Sequence, residues 1–525
     1  MHDEGIGAWA ERRARRTPHR TAVVHGDGRR MSYAGLYAHA TRIAHTLRHH
    51  GVRKGDRVGF LGPNRPEFLA CLFATGLLGA VFVPFNVRLG PPELAYQLTD
   101  CGARVLLRTG RSPGAPAGTG VPVVEVDATG EAAPAPPVEE SVAPGDPYVI
   151  LYTSGTTGHP KGAVLTHANL TWNAVNVLID MDLTADETAL IAAPLYHAAA
   201  LGMQALPVLL KGGTCVLMES FDAGAALGAV ERHRVTSLFG VPTMFRRIAA
   251  HPRWPDADLS SLRTLVCGGA QVPEALAVTY ARRGLVLRQG YGMTEAAPGV
   301  LLAPPGPAGV APGPAGVPHL FTDVRVVVAG PDGPAGSGAV RADEGDAGAE
   351  GGDGGDGGDG GDRAVDAAVG ETGELLVRGP NVMAGYWNRP QESTAVFTDG
   401  WLHTGDAARV DADGGVTVVD RIKEMIISGG ENIYPAEVEH ALLAHPGVAD
   451  CAVIPVPDTE WGEVGRAVLV AAPGVLLDPD EVLASLSGRL AGYKIPRTAV
   501  VAPDLPRTAT GKAVRRQLKD RYGAP

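Results

Sequence analysis

Between Tyr152 and Gly162 the chain reads "YTSGTTGHPKG". Gly155, Gly158 and Gly162 let a backbone come close to a ligand and present its N–H groups, and Thr153, Ser154, Thr156 and Thr157 add hydroxyls. Lys161 adds a positive charge. These are the groups that grip phosphate, yet the order is not that of a Walker loop, which places Gly-Lys before Ser or Thr at the start of a helix. Here Pro160 precedes Lys161 and Gly162 follows it. The loop suits closing over a leaving pyrophosphate rather than holding a γ-phosphate for transfer, so a phosphotransferase is disfavoured.

Further short motifs follow in order: "PLYH" at 194–197, "GGA" at 268–270, "YGMTE" at 291–295, "GELLVRGPNVMAGYWNRP" from Gly373, "DGWLHTGD" to Asp406, "DRIKEMIISGGENIYPAEVE" from Asp420, and "LPRTATGK" to Lys512. With the opening loop, this series resembles the acyl-adenylate-forming superfamily of acyl-CoA synthetases, aryl-CoA ligases, luciferases and peptide-synthetase adenylation domains, and is closest to the acyl-CoA synthetases. The resemblance covers nearly the whole chain. It implies ATP-dependent activation of a carboxylic acid to acyl-AMP with pyrophosphate release, then transfer to the thiol of CoA.

Beside that resemblance each motif has a physical role. Tyr291 offers a ring to adenine, Thr294 a hydroxyl to a phosphate oxygen, and Glu295 the single carboxylate that suits a Mg²⁺ still held mostly by phosphates and water. Asp406, following Gly405, suits both ribose hydroxyls, as acidic residues do in other nucleotide sites, with Arg421 on ribose or phosphate. Attack of a carboxylate on the α-phosphate brings two anions together, and the ammonium of Lys512 on a polar loop can offset their repulsion. The resemblance further implies that Thr156 joins Glu295 at the magnesium, that Gly268, Gly269, Ala270, Gly292 and Met293 line the nucleotide, and that His197 stands beside the acyl carboxylate. It also implies that Gly429 and Gly430 let pantetheine pass, that Trp461 lies near CoA, and that Lys423 is the pivot between two domain arrangements.

The acid itself is less legible. Relatives that activate amino acids use an Asp near Tyr196 to hold the ammonium, and no acidic residue lies between Thr188 and Lys211. The small, apolar "HAAALGM", His197 to Met203, points to a hydrophobic acyl or arylalkyl group, of fatty-acid or secondary metabolism. Transfer to a carrier-protein phosphopantetheine is the alternative second step, and a nucleotide-binding protein without catalysis a distant one.

To position these groups the chain must fold as layered α/β units. Stretches such as "RTAVVHG", "RVGFLG", "AVFVPFN", "ARVLLR" and "SLRTLVCGG" alternate with helical patterns at Pro92–Leu98 and Leu170–Leu178, the signature of parallel α/β layers. After Asp420 short mixed elements follow: helices in "AEVEHALLAHPGV" and "DPDEVLASLSGRL", strands in "ADCAVIPVP" and "GRAVLVAAP". The expected organisation is a large multi-subdomain α/β domain over 1–420, a hinge at 421–423, and a small mobile α+β domain over 424–525. At 525 residues the chain is too long for one core. Its net charge of −11 argues against a nucleic-acid surface, although eight of the acidic residues fall between Ala342 and Asp362, where no basic residue occurs. Within that stretch "GGDGGDGGDGGD" has no apolar residue to build a core, so 342–362 is expected to be a disordered acidic insertion. Five scattered cysteines and a polar start without a leader suggest a reduced, cytoplasmic protein. The apolar run Phe68–Phe85, broken by two glycines and Pro84, reads as a buried helix leading into a core strand rather than a membrane anchor. A homodimer is compatible with all of this.

Overall fold

The computed structural model describes residues 4–26, 28–110, 112, 115–128, 133, 135–153, 160–305, 315–328, 365–428, 431–459, 461–487, 489–508 and 513–524. They form two compact units, the first from 1–312, 318–323 and 378–400, the second from 313–317, 324–377 and 401–525. The expected insertion at 342–362 lies outside the described residues.

The alternation read from the sequence is the fold of the first unit. One of its sheets runs in the spatial order Gly299–Leu302, Leu287–Gly292, Thr264–Gly268, Ser237–Gly240, Thr188–Ile191, Thr214–Leu217, Thr21–His25 and Arg29–Ser32. Its middle members pair in parallel, and Gly299–Leu302 returns antiparallel against Leu287–Gly292. The second sheet runs Gly385–Tyr386, Lys161–Thr166, Pro147–Thr153, Val81–Phe85, Arg57–Leu61, Ala103–Arg108 and Val123–Glu125. The apolar run is explained by burial: the helix Pro66–Leu77 is buried at every position and leads into the equally buried strand Val81–Phe85. Phe60, Phe68 and Phe82 meet there with ring centroids 5.1 to 5.7 Å apart. Each such side chain stabilises the unit by about 1.5–3 kcal/mol through burial. Among the described residues no helix is long and apolar enough to cross a membrane.

In the second unit, Asp323–Val328 pairs antiparallel with Val365–Asp366, and Trp401–Val410 with both Thr372–Arg378 and Val416–Arg421. Its C-terminal part is a sheet of Glu431–Ile433, Ile426–Ser428, Gly462–Ala471 and Val448–Asp458, with Thr498–Val501 alongside Gly462–Ala471. The helix Pro435–Leu443 sits on a core that includes Val438, Leu442, Val453 and Leu469. The helix expected from Asp478 onward is shorter than its pattern: Asp478 caps it by accepting from the Asp480 N–H at 2.9 Å, but it ends at Ala484. There Ser485 turns its hydroxyl onto the Val482 carbonyl at 2.6 Å, a local bond that competes with helix continuation.

Candidate active site

The loop expected to grip phosphate is flanked by a hairpin. Pro147–Thr153 and Lys161–Thr166 are antiparallel, with Thr153 opposite Lys161 and Tyr152 opposite Gly162. The feet of the loop are thereby fixed side by side, while Ser154, Gly155, Thr156, Thr157 and Gly158 lie outside the described residues. Gly162 is required by space: a Cβ there would stand 2.5 Å from Ile150 Cγ2. The foot is braced from outside, since the Tyr152 hydroxyl donates to Asp100 Oδ2 at 2.7 Å and the Tyr96 hydroxyl donates to the Pro160 carbonyl at 3.2 Å. Lys161 Nζ lies 5.4 Å from the centre of the Tyr386 ring and pairs with the Glu392 carboxylate.

The "GGA" and "YGMTE" motifs follow the carboxyl ends of two adjacent parallel strands, Thr264–Gly268 and Leu287–Gly292, the end at which open α/β sheets bind ligands. Gly269 has φ +80°, a left-handed conformation that favours glycine, and both Gly269 and Ala270 are exposed. A Cβ on Gly268 would lie 3.1 Å from the Gly290 carbonyl oxygen, and one on Gly292 only 1.9 Å from that of Pro298. This tight passage folds Met293, Thr294 and Glu295 into a short turn, in which the Met293 N–H donates to Pro298 O at 3.0 Å. Glu295 is 8% exposed; its Oε1 accepts from the Tyr386 hydroxyl at 3.0 Å and its carbonyl from the Met383 N–H at 2.8 Å. Tyr386 therefore touches the loop lysine with its ring and the acidic residue of "YGMTE" with its hydroxyl. Tyr291 and Thr294 are partly exposed in the same turn region.

His197 precedes an unusual helix: one turn at Ala198–Ala200, a wider π-type turn at Leu201–Ala205, then Leu206–Lys211. Such wide turns recur at functional sites. Burial, with Arg88 as a lesser cause, pushes the His197 imidazole down to about 4, and its Nε2 has no hydrogen-bond partner. The ring lies 4.7 Å from that of Tyr196. Asn173, fully buried, donates from Nδ2 to the Gly202 carbonyl at 2.8 Å and accepts the Gly299 N–H at 2.9 Å. One side chain thus ties the π turn to the strand that follows "YGMTE".

In the second unit Asp406 and Arg421 face each other across the strand pair, Arg421 Nε lying 2.7 Å from Asp406 Oδ1. Asp406 is 4% exposed, and its N–H donates to the Thr404 hydroxyl at 3.0 Å. Arg421 also donates to the Thr404 carbonyl at 3.1 Å, so both motif residues are held by Thr404. Next to them the Gly405 N–H donates to Glu374 Oε1, and Glu374 Oε2 lies 3.0 Å from His403 Nδ1, a contact that raises the His403 pKa. Lys423 lies in a 3₁₀ turn, Ile422–Glu424. Trp461 is 39% exposed with Arg497 5.9 Å from its ring centre. Gly429, Gly430 and Lys512 lie outside the described residues, although the bridge between Arg507 and Ala513 fixes where the Lys512 loop leaves and rejoins the unit.

Sequence reasoning did not single out Tyr386, Asn173, Glu392 or Arg389. The first, third and fourth fall in or just after the quoted "MAGYWNRP", where an aromatic ring amid polar residues was the available signal. Nothing marked Asn173.

A hairpin that carries the Gly, Ser and Thr run, next to an acidic turn at the carboxyl edge of a parallel sheet, fits a nucleotide-dependent enzyme of the adenylate-forming class. The chain belongs to the AMP-binding enzyme family: that family's model matches residues 10–341, and the model of the AMP-binding enzyme C-terminal domain matches 437–512. It is 53% identical to a feruloyl-CoA synthase of Amycolatopsis over the full length of both chains. It is 40% identical to the indoleacetate–CoA ligase of Aromatoleum aromaticum, over 97% of this chain and 96% of the relative. Among solved structures, the o-succinylbenzoate CoA synthetase of Bacillus subtilis with its acyl-adenylate intermediate superposes with a TM-score of 0.83 at 33% identity, covering 99% of each chain. The ATP-bound MatB of Rhodopseudomonas palustris does so at 0.85 and 30%, again over 99% of each. The protein is an AMP-forming acyl-CoA synthetase that uses ATP, Mg²⁺ and CoA. It joins a carboxylic acid to AMP with loss of pyrophosphate and then passes the acyl group to CoA.

Proposed function

We propose that the acid is an aromatic one, ferulic acid or a close aryl analogue. The observation that carries this is the 53% identity to a feruloyl-CoA synthase along the entire chain. The small, largely apolar, buried stretch after His197 supports it, because a flat ring needs desolvated neighbours without charge. A buried imidazole kept neutral at ordinary pH is an uncharged neighbour that can orient a carboxylate oxygen without an ion pair that would hold it back from attack.

In this reading the acid's carboxylate oxygen bonds to the α-phosphorus of ATP as the bond from that phosphorus to the bridging oxygen breaks, and pyrophosphate leaves. The hydroxyls and N–H groups of Thr153–Gly158 and the ammonium of Lys161 take the phosphate charge, Tyr291 stacks on adenine, and Asp406 accepts the ribose hydroxyls in the orientation that Arg421 and Thr404 give it. Glu295 fits the magnesium role by its chemistry: a single buried carboxylate with one oxygen tethered by Tyr386 suits a cation that keeps its phosphate and water ligands. Glu295 together with Thr156 would hold the Mg²⁺, which would supply positive charge against the phosphates. Lys512 offsets the approach of the two anions. For the second step we propose a boundary at 421–423, with Lys423 as the pivot, that withdraws Lys512 so a thiol can pass Gly429 and Gly430. The CoA sulfur then bonds to the acyl carbon and AMP departs. Five free, buried cysteines accord with a reducing, cytoplasmic setting.

Acid-dependent exchange of labelled pyrophosphate into ATP tests the substrate, over ferulic, indoleacetic, long-chain fatty and amino acids. Ferulic acid is expected to give the highest kcat/KM. Preference for a fatty acid would refute the aryl assignment.

A further inference from the structure

We propose that Glu392 is a competing anion for Lys161, a positioning residue that loosens the enzyme's hold on triphosphate and hastens departure of pyrophosphate. The inference rests on the reading that Lys161 contacts those phosphates. Lys161 is the sole cation of the phosphate-gripping motif, and its ammonium rests against the Glu392 carboxylate over the face of Tyr386. The contact is partly exposed: the Lys161 side chain is 17% exposed and that of Glu392 36%.

Glu392 is held in place independently of the lysine. It lies in the first turn of the short helix Pro390–Ala395, and Arg389 Nε stands 3.5 Å from its Oε1. Arg389 is anchored in turn, its Nη2 donating to Asp100 Oδ1 at 2.9 Å and to the Tyr96 hydroxyl at 3.1 Å. Tyr96 and Asp100 are the residues that brace Pro160 and Tyr152 at the loop's feet. The carboxylate is therefore built into the frame of the loop. A triphosphate arriving at Lys161 meets an ammonium already neutralised, and must either displace Glu392 or accept a carboxylate beside it. Both raise the free energy of the bound anion. After the α-phosphorus bond breaks, recapture of Lys161 by Glu392 favours release of the pyrophosphate.

The test is Glu392→Gln, which removes the charge and keeps the shape, with Glu392→Ala as a second variant without the charge. A partly exposed ion pair of this kind should shift anion affinity by about two- to fivefold. We expect the dissociation constant of magnesium pyrophosphate, titrated at equilibrium without acid, to fall by that factor. The KM for ATP should fall with it, and the KM for the acid should stay unchanged. In a Lys161→Met background the substitution should have no effect on pyrophosphate affinity. Unchanged or weakened pyrophosphate binding in both Glu392 variants would overturn the proposal, as would a gain that persists without Lys161. Lys161→Met alone separates the proposal from the reading beneath it: pyrophosphate affinity at the wild-type level in that variant would refute the phosphate contact of Lys161, whereas weakened binding there with unchanged binding in the Glu392 variants would refute the role of Glu392 alone.

Discussion

Replacing Gly292 with alanine puts a methyl group where backbone already stands. The new Cβ would lie 1.9 Å from the Pro298 carbonyl oxygen and 2.9 Å from its carbonyl carbon. No rotamer change relieves a clash with main chain, so the passage between 292 and 298 must open by more than about 1 Å, the scale at which overpacking costs about 1–3 kcal/mol. The hydrogen bond from the Met293 N–H to Pro298 O closes that passage and is lost with it, at about 0.5–1.5 kcal/mol. Glu295 lies three residues on, within the displaced turn, and if it holds the magnesium as proposed, a shift of about 1 Å there can cost about 100-fold in rate. Pyrophosphate exchange is therefore expected to fall about 100-fold, with a lowered melting temperature. Thiolysis of acyl-AMP supplied ready-made should suffer far less, because no phosphate needs activating. An alanine variant that exchanges pyrophosphate at the wild-type rate would refute the argument, and equal loss of both half-reactions would assign the glycine to general stability.

Asp406→Ala should raise the KM for ATP by at least about tenfold, the scale of a lost hydrogen bond to a charged group, and leave that for the acid nearly unchanged; parallel rises would remove Asp406 from the ribose. Lys423→Pro, which fixes φ near −65°, should let acyl-AMP form and accumulate while thioester formation nearly stops, as read in single-turnover assays of each half-reaction; a fully active variant would exclude the pivot. His167 is buried and neutral, its Nδ1 accepting the Ile6 N–H at 3.0 Å, and burial holds its pKa down to about 4. Because the unfolded chain takes up the proton near pH 6.5 and the folded one does not, this histidine's contribution is fully present above about pH 6.5. It is lost as pH falls towards about 4, by up to about 3 kcal/mol. The stability gap between wild type and His167→Asn, measured by urea unfolding, should shrink across that window; a gap independent of pH would contradict the assignment.

Legibility followed the range of the interaction. The "GGA" and "YGMTE" turns were visible because their glycines answer to the nearby backbone, as the left-handed Gly269 and the crowded Gly292 show. The strands and the buried Pro66–Leu77 helix were visible because burial repeats with the period of the element. What escaped depends on partners distant in the chain: Tyr386 reaches Glu295 across 91 positions, and Arg389 reaches Asp100 across 289. Asn173 looks like any polar residue on a helix until the fold buries it between Gly202 and Gly299. The shortened helix after Asp478 turned on a single serine whose hydroxyl prefers a nearby carbonyl, a choice that periodicity does not encode.

The antiparallel register that sets Val327 opposite Asp366 and Val328 opposite Val365 has a practical consequence. Cross-strand neighbours stand about 5 Å apart, so Val328 and Val365, which bracket 36 residues in the sequence, lie side by side. Lengthening a chain connection that starts and ends at such a pair costs only about 0.6 kcal/mol per doubling. A fluorescent or affinity module whose own ends lie close together can be spliced in at that junction. The synthetase could then be imaged, or fixed to a support, with both chain ends left free.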